Sequence, residues 1–348
     1  MRFIVKAVFA LCLLLSVPAS AAESYKVAWS HYTGWEPWGY IETSGIMDKW
    51  AKKYGIDVEV KLINDYIESI NLYTAGEFAG VTVTNMDALT IPAVGGVDSS
   101  AIIVGDFSNG NDAIVAQGVS SVADLKGHEV KLVELSVSHY LLARALEKHG
   151  LSERDLKVVN TSDADIGGLF MSDAKAIAVT WNPIVNEIKG KQGAKVLFDS
   201  SEIPGEILDL MVVRTNAPET LKKALAGAWY EAMAVMSGAQ GPEKQAEALK
   251  AMATQAGGTL EQFNEQLKTT EMYYKPSAAL AVATPDKLRT TMDYVRSFSF
   301  DKGLFGEGMK SPDAIGIAMP DGSVLGDSAN VKLRFDNSFM AMAAEENM

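Results

Sequence analysis

Carboxylates and indoles gather at a few places in this chain. Trp35, Glu36 and Trp38 share one Gly/Pro-rich loop, Asp65 and Asp87 each precede a helical pattern, Glu134 stands in a turn with Ser136, Ser138 and His139, and Trp181 is followed by Asn182. In-plane carboxylates around an indole face suit a planar cation with N–H donors on its edge, through charge-assisted hydrogen bonds and cation–π contact. Each residue also has a plainer use. Asp65, Asp87 and Ser138 stand where helix N-caps belong, and capping is compatible with ligand contact. Trp38 and Trp181 could fill lobe cores with their indole N–H satisfied locally. Glu134 is harder to explain that way, because it ends a β-branched strand where a buried carboxylate without a partner costs several kcal/mol.

Catalytic signatures are missing from the same sequence. It has no G-x-S-x-G elbow, no Walker loop, no H-E-x-x-H and no G-x-G-x-x-G after a strand. His31, His128, His139 and His149 lack metal-ligand spacing, so neither a metal nor a catalytic residue is expected. Ser138 and His139 could be imagined in a serine triad, but neighbours on one helix point in different directions.

The elements that must position these residues alternate short β-branched runs with helical patterns, the mark of βα units and a largely parallel sheet. Strands are expected at Tyr25 to Trp29, Val58 to Ile63 and Gly80 to Val83, making one lobe. A second series, Glu129 to Val133, Lys157 to Val159, Ala176 to Thr180 and Lys195 to Phe198, makes another. Ligands of open parallel sheets bind beyond the carboxyl ends of strands, which is where the carboxylates and indoles fall. The apolar segments Ala113 to Gln117 and Leu208 to Val213 read as the strands by which the chain enters the second lobe and returns. After Arg214 the pattern is mostly helical, with a hairpin around Pro320-Asp321-Gly322, and this extension is expected to pack on the first lobe.

The first residues predict export. Arg2 and Lys6 lead into the apolar run Ala7 to Val17, and Pro18-Ala19-Ser20-Ala21-Ala22 follows, the layout of a cleavable secretory signal over 1–21. The sole cysteine, Cys12, would leave with it, removing thiolate chemistry. Roughly 325 residues remain, about twice a single domain, so two lobes are expected: 22–112 with 214–348, and 113–213. The net charge of -13, more negative still without Arg2 and Lys6, argues against nucleic-acid partners.

The stretch SSVADLKGHEVKLV, from Ser120 to Val133, resembles the opening of the second lobe in periplasmic substrate-binding proteins of the nitrate, sulfonate and taurine class of ABC transporters. The likeness continues through SHYLLARALEKHGL (Ser138 to Leu151), DLKVVN, AIAVTWNPIV and ILDLMVVR. It implies an α/β, two-lobed periplasmic binding protein of the type II, Venus-flytrap kind, closing on one solute without a cofactor. It also implies a monomer in the periplasm that serves permease and ATPase subunits. The WEPW loop and the TWNP phrase resemble the subgroup found beside urea carboxylase systems, which implies urea or guanidine. Glu134 beside an anionic head group would be repulsive, against taurine or nitrate. The rival readings are a sulfonate or nitrate binder of the same class and an enzyme of related fold, similar to a pyrimidine-precursor synthase.

Overall fold

Two sheets account for the alternation of apolar and polar residues. The computed structural model describes residues 22–348, so the expected signal segment and Cys12 lie outside the described residues. The strands are β1 (Glu23–Trp29), β2 (Ile56–Leu62), β3 (Gly80–Thr84), β4 (Ser99–Ser108), β5 (Ala113–Gln117), β6 (Glu129–Leu132) and β7 (Lys157–Asn160). They continue with β8 (Ile177–Thr180), β9 (Ala194–Asp199), β10 (Leu208–Arg214), β11 (Thr270–Met272), β12 (Gly316–Ala318), β13 (Val324–Leu325) and β14 (Val331–Phe335).

The first sheet runs β13-β12-β14-β4-β10-β3-β1-β2, with β11 paired to β4, and the second runs β7-β6-β8-β5-β9. In the first, β1 is parallel to β2 and β3, as βα units require. Leu208–Arg214, read from sequence as the segment by which the chain returns from the second lobe, is a central strand of the first sheet, antiparallel to both β3 and β4. Every residue from Leu208 to Val213 is buried, and a run without alternation is what a strand covered on both faces needs. Ser99–Ser108 was not anticipated as a strand; it is buried nearly throughout for the same reason.

The chain crosses between sheets twice, through residues 109–112 after β4 and through 200–207 before β10. These crossings lie at the edge of the first sheet where β1 and β3 end, so loops from both sheets meet there. The C-terminal helices pack on the first sheet's side. Helix Glu219–Met236 approaches helix Ile46–Tyr54 so closely at Gly227 that a Cβ there would lie 2.4 Å from the Trp50 ring. The expected hairpin forms as β12 and β13, and β14 then joins β12 to β4 in parallel. No described helix is long and apolar enough to cross a membrane.

Trp38 belongs to this framework. Its ring stacks on Trp229 at 5.1 Å between centroids, and the side chain is 1% exposed. Trp38→Ala should therefore lower the free energy of unfolding by about 3–5 kcal/mol in urea titration, the usual cost of emptying an aromatic core position. A loss well under 1 kcal/mol would contradict this core role.

Candidate functional site

Where the two sheets' loops meet, a tight cavity of about 10 Å³, room for about one water molecule as it stands, is lined by Tyr32, Trp35, Tyr66, Thr84, Asp112, Val137, Trp181 and Asp209. Four of these are aromatic. Trp35 lies 5.0 Å from Tyr32 and 5.5 Å from Tyr66, and Trp181 meets Tyr66 edge-on at 5.4 Å, so rings from both sheets form one wall. Trp181 closes it by donating its indole N–H to the His31 carbonyl at 3.0 Å.

The other walls are acidic. Asp209 is the second residue of β10, and its register places it opposite Thr84 on one neighbouring strand and Asp106 on the other. Like charges directly opposite across a ladder repel. Tyr32 donates its hydroxyl to Asp106 Oδ1 at 2.8 Å, but Oδ2 of Asp106 and Oδ2 of Asp209 are buried without a partner. Gly34 makes this crowding possible, since a Cβ there would stand 2.4 Å from Asp106 Oδ2. Asp87 Oδ2 accepts from Tyr66 at 2.7 Å, from the Thr84 hydroxyl at 3.0 Å and from the Val137 N–H at 3.2 Å, while its Oδ1 has no partner.

No lysine or arginine lines the cavity among the described residues. Burial therefore dominates, pushing Asp106 and Asp112 up to about 7 and Asp87 up to about 6, while Asp209 rises well above its ordinary range through burial and then the Asp106 charge. A buried carboxylate in this position must take a proton or find a cation.

The residues singled out from sequence divide into three groups. Trp35 and Trp181 line the cavity, and Asp87 and Ser138 are buried close behind it, each with an unpartnered oxygen; Trp35 also keeps an unpartnered indole N–H. Asp65 and Glu134 lie in a shallow groove outside it, which Asp163 also lines. Asp65 caps helix Tyr66–Ala75 and accepts from Ser162 at 2.8 Å, tying loops of the two sheets together. Glu134 corrects the strongest expectation from sequence: its strand stops at Leu132, so the residue falls in an exposed turn and is not a buried carboxylate.

The third group is committed to the protein. Glu36 is buried against His31 at 2.8 Å and Gln255 at 2.6 Å, away from the cavity. Trp38 is in the core. Ser136 caps helix Val137–Lys148 by accepting from the Ser138 N–H, and donates to the Val133 carbonyl. His139 accepts the Leu135 N–H on Nδ1 and so donates from Nε2 to Glu153 at 3.1 Å. Asn182 accepts from the Asn186 N–H and donates to Thr269.

Sequence reading missed Tyr32, Tyr66, Thr84, Asp106, Asp112, Val137 and Asp209. One signal was present for two of them. Asp106 and Asp209 each interrupt a run otherwise apolar enough for a buried strand, where a lone carboxylate requires an explanation.

A sheet pair crossed twice by the chain, with a buried site where their loops meet, is the periplasmic-binding-protein fold. Solved structures support this class. The alkanesulfonate-binding protein SsuA from Xanthomonas axonopodis pv. citri, bound to MOPS, superposes with a TM-score of 0.67 at 14% identity, over 83% of this chain and 96% of its own. A Candida albicans gene product with the generic periplasmic binding protein fold gives 0.60 at 14%, over 82% and 92%. Residues 48–234 match the family described as NMT1/THI5 like, and the chain belongs to that family.

Curated relatives are binding proteins. A chain of Brucella abortus (strain 2308), named as a candidate binding protein, is 26% identical over 199 residues, 54% of this chain and 61% of that one. The taurine-binding periplasmic protein of Escherichia coli (strain K12) is 24% identical over 211 residues, 59% and 63% respectively. The matches thus span under two thirds of these relatives' length.

The raised carboxyls make stability depend on pH. Between their unfolded values near 4 and their folded values near 6 to 7, the folded chain holds protons that the unfolded chain has lost, so stability falls as pH rises. The melting temperature without added solute should decline from pH 5 to pH 8, and Asp106→Asn should flatten the decline. A rising profile over that window would contradict the protonated cluster.

Proposed function

We propose that this chain is the solute-binding component of an ABC importer, taking up a small planar nitrogen-rich solute in the periplasm, guanidinium ahead of urea. One observation carries the reading: unpartnered oxygens of Asp87, Asp106 and Asp209 are buried around an aromatic cavity that no lysine or arginine lines, among the described residues. A guanidinium ion offers N–H donors in its plane to carboxylates and a cationic face to indoles. Urea matches the shape but brings no charge to offset theirs. The two lobes would close on the solute, and the closed form would be read by permease and ATPase subunits.

A sulfonate or taurine solute is the second reading. The names of the relatives favour it, as do Ser136 and Ser138 at the start of helix Val137–Lys148, because helix N-termini attract anions. Against it, the Val137 N–H at that terminus is already given to Asp87, and an anion would face Asp112 and Asp209.

Isothermal titration of the chain from Ala22 onward with guanidinium, urea, taurine and nitrate separates these readings. Guanidinium should bind most tightly. Asp209→Asn should weaken it by about 2 kcal/mol or more, the cost of removing one partner of a buried ion pair. Glu134→Gln, in the exposed turn, should change it little. Tighter binding of taurine than of guanidinium would overturn the cationic reading.

A further inference from the structure

Asp112 belongs at once to the cavity wall and to the first of the two crossings between sheets. That crossing, residues 109–112, is fastened to the second by a chain of hydrogen bonds with a single direction. Gly110 donates its N–H to Ser200 Oγ at 2.8 Å, and the Ser200 and Ser108 hydroxyls lie 2.7 Å apart. Ser108 donates to Asp112 Oδ2 at 2.5 Å and accepts the Asp112 N–H at 3.1 Å. Because the Ser108 proton is spent on the carboxylate, Ser200 must be the donor between the two serines. The Ser200 N–H then closes the loop on the Asp112 carbonyl at 2.9 Å.

The neighbouring residue binds both sides as well. Asn111 accepts the Asn182 N–H at 3.0 Å, next to the cavity residue Trp181, and donates to Thr270 of β11 at 2.5 Å. A run of donors ending on one carboxylate is polarised by that carboxylate's charge, and each bond strengthens the next. Ser108, Asn111, Asp112 and Ser200 are all nearly inaccessible to water, so no solvent competes.

We propose that Asp112 makes the hinge itself a solute contact, so that the charge of the bound solute is read directly at the crossing and a cation drives the lobes closed. This rests on the cationic reading of the cavity. A cation against Asp112 keeps the carboxylate ionised and holds the Ser108 and Ser200 hydroxyls in their donating direction, fixing both crossings in one geometry. A solute that leaves Asp112 uncharged would fill the same space without that effect. The differential contact needed for a ligand to shift a conformational equilibrium is therefore located on the moving segment.

The test compares compaction at saturation with affinity, using guanidinium as the probe. Small-angle scattering should show the unaltered chain contracting when saturated. Asp112→Asn, which can still accept from Ser108, should bind guanidinium about tenfold or more weakly and fail to contract even when saturated. Asp209→Asn should also bind more weakly, yet contract fully once saturated, because its side chain makes no hydrogen bond to either crossing.

If Asp112→Asn cannot be saturated or does not fold, Ser108→Ala decides, since it keeps the carboxylate and frees it from the hinge. Binding with reduced contraction supports the inference, and full contraction overturns it. Full contraction of saturated Asp112→Asn, or no contraction of the unaltered chain on binding, would equally overturn it. Absence of guanidinium binding to the unaltered chain would instead overturn the reading of the solute.

Discussion

The rest of this molecule depends on the way acidic side chains are crowded where their charges cannot be hydrated. Asp209 and Asp106 face each other on adjacent central strands, Asp112 sits in the crossing beside them, and Asp87 lies across the cavity, all at most 3% exposed. Their protein donors are few: Tyr32 for Asp106, Ser108 for Asp112, and Tyr66, Thr84 and the Val137 N–H for Asp87. Leaving such charges unpaired costs several kcal/mol each, more than a marginally stable fold can spare repeatedly. The cluster therefore holds protons or a cation, and in the proposed reading the surrounding aromatic rings would face a planar, weakly hydrated one.

The architecture turns that local demand into a two-sheet device. The first sheet contributes Thr84 and Asp209 from adjacent strands, with Asp106 beside them on β4, while Trp181 comes from the loop after β8 and Val137 opens the helix after β6. Neither sheet completes the cavity alone. Contacts around it, such as Trp181 to the His31 carbonyl and Ser162 to Asp65, join loops from both sides and so belong to a closed arrangement. In the proposed function, a solute that neutralised the carboxylates would stabilise those contacts together with itself, which is the differential binding a transport signal would require.

Much of the fold was legible in the sequence because βα units announce themselves by period and turn residues. The strands before Gly-rich or capping residues, and the second series in particular, fall within a residue or two of expectation. The central place of Leu208–Arg214 in the first sheet was not legible, because an apolar run has no directional signal: a strand buried on both faces looks the same in either sheet. The site was less legible. Trp35 and Trp181 stand after strands that follow the parallel rule, and that rule found them. Asp209 comes from an antiparallel strand inserted in the sheet, where the rule of strand carboxyl ends does not apply, since β10 reaches the same edge with its first residues; Asp106 obeys the rule, near the carboxyl end of β4, but that strand was not anticipated. Glu134 misled for the opposite reason: it obeys the rule, but its strand ends early enough that the side chain meets water.

The central claim is that protons and a cationic solute compete for the same buried carboxylates, and proton release measures that directly. Titrating guanidinium into the chain near pH 6, in buffers of different ionisation enthalpy, gives the number of protons displaced on binding. The account predicts net release of at least a substantial fraction of one proton per guanidinium bound, shrinking as pH rises above about 7. Tight guanidinium binding with no proton release at pH 6, or with proton uptake, would contradict it.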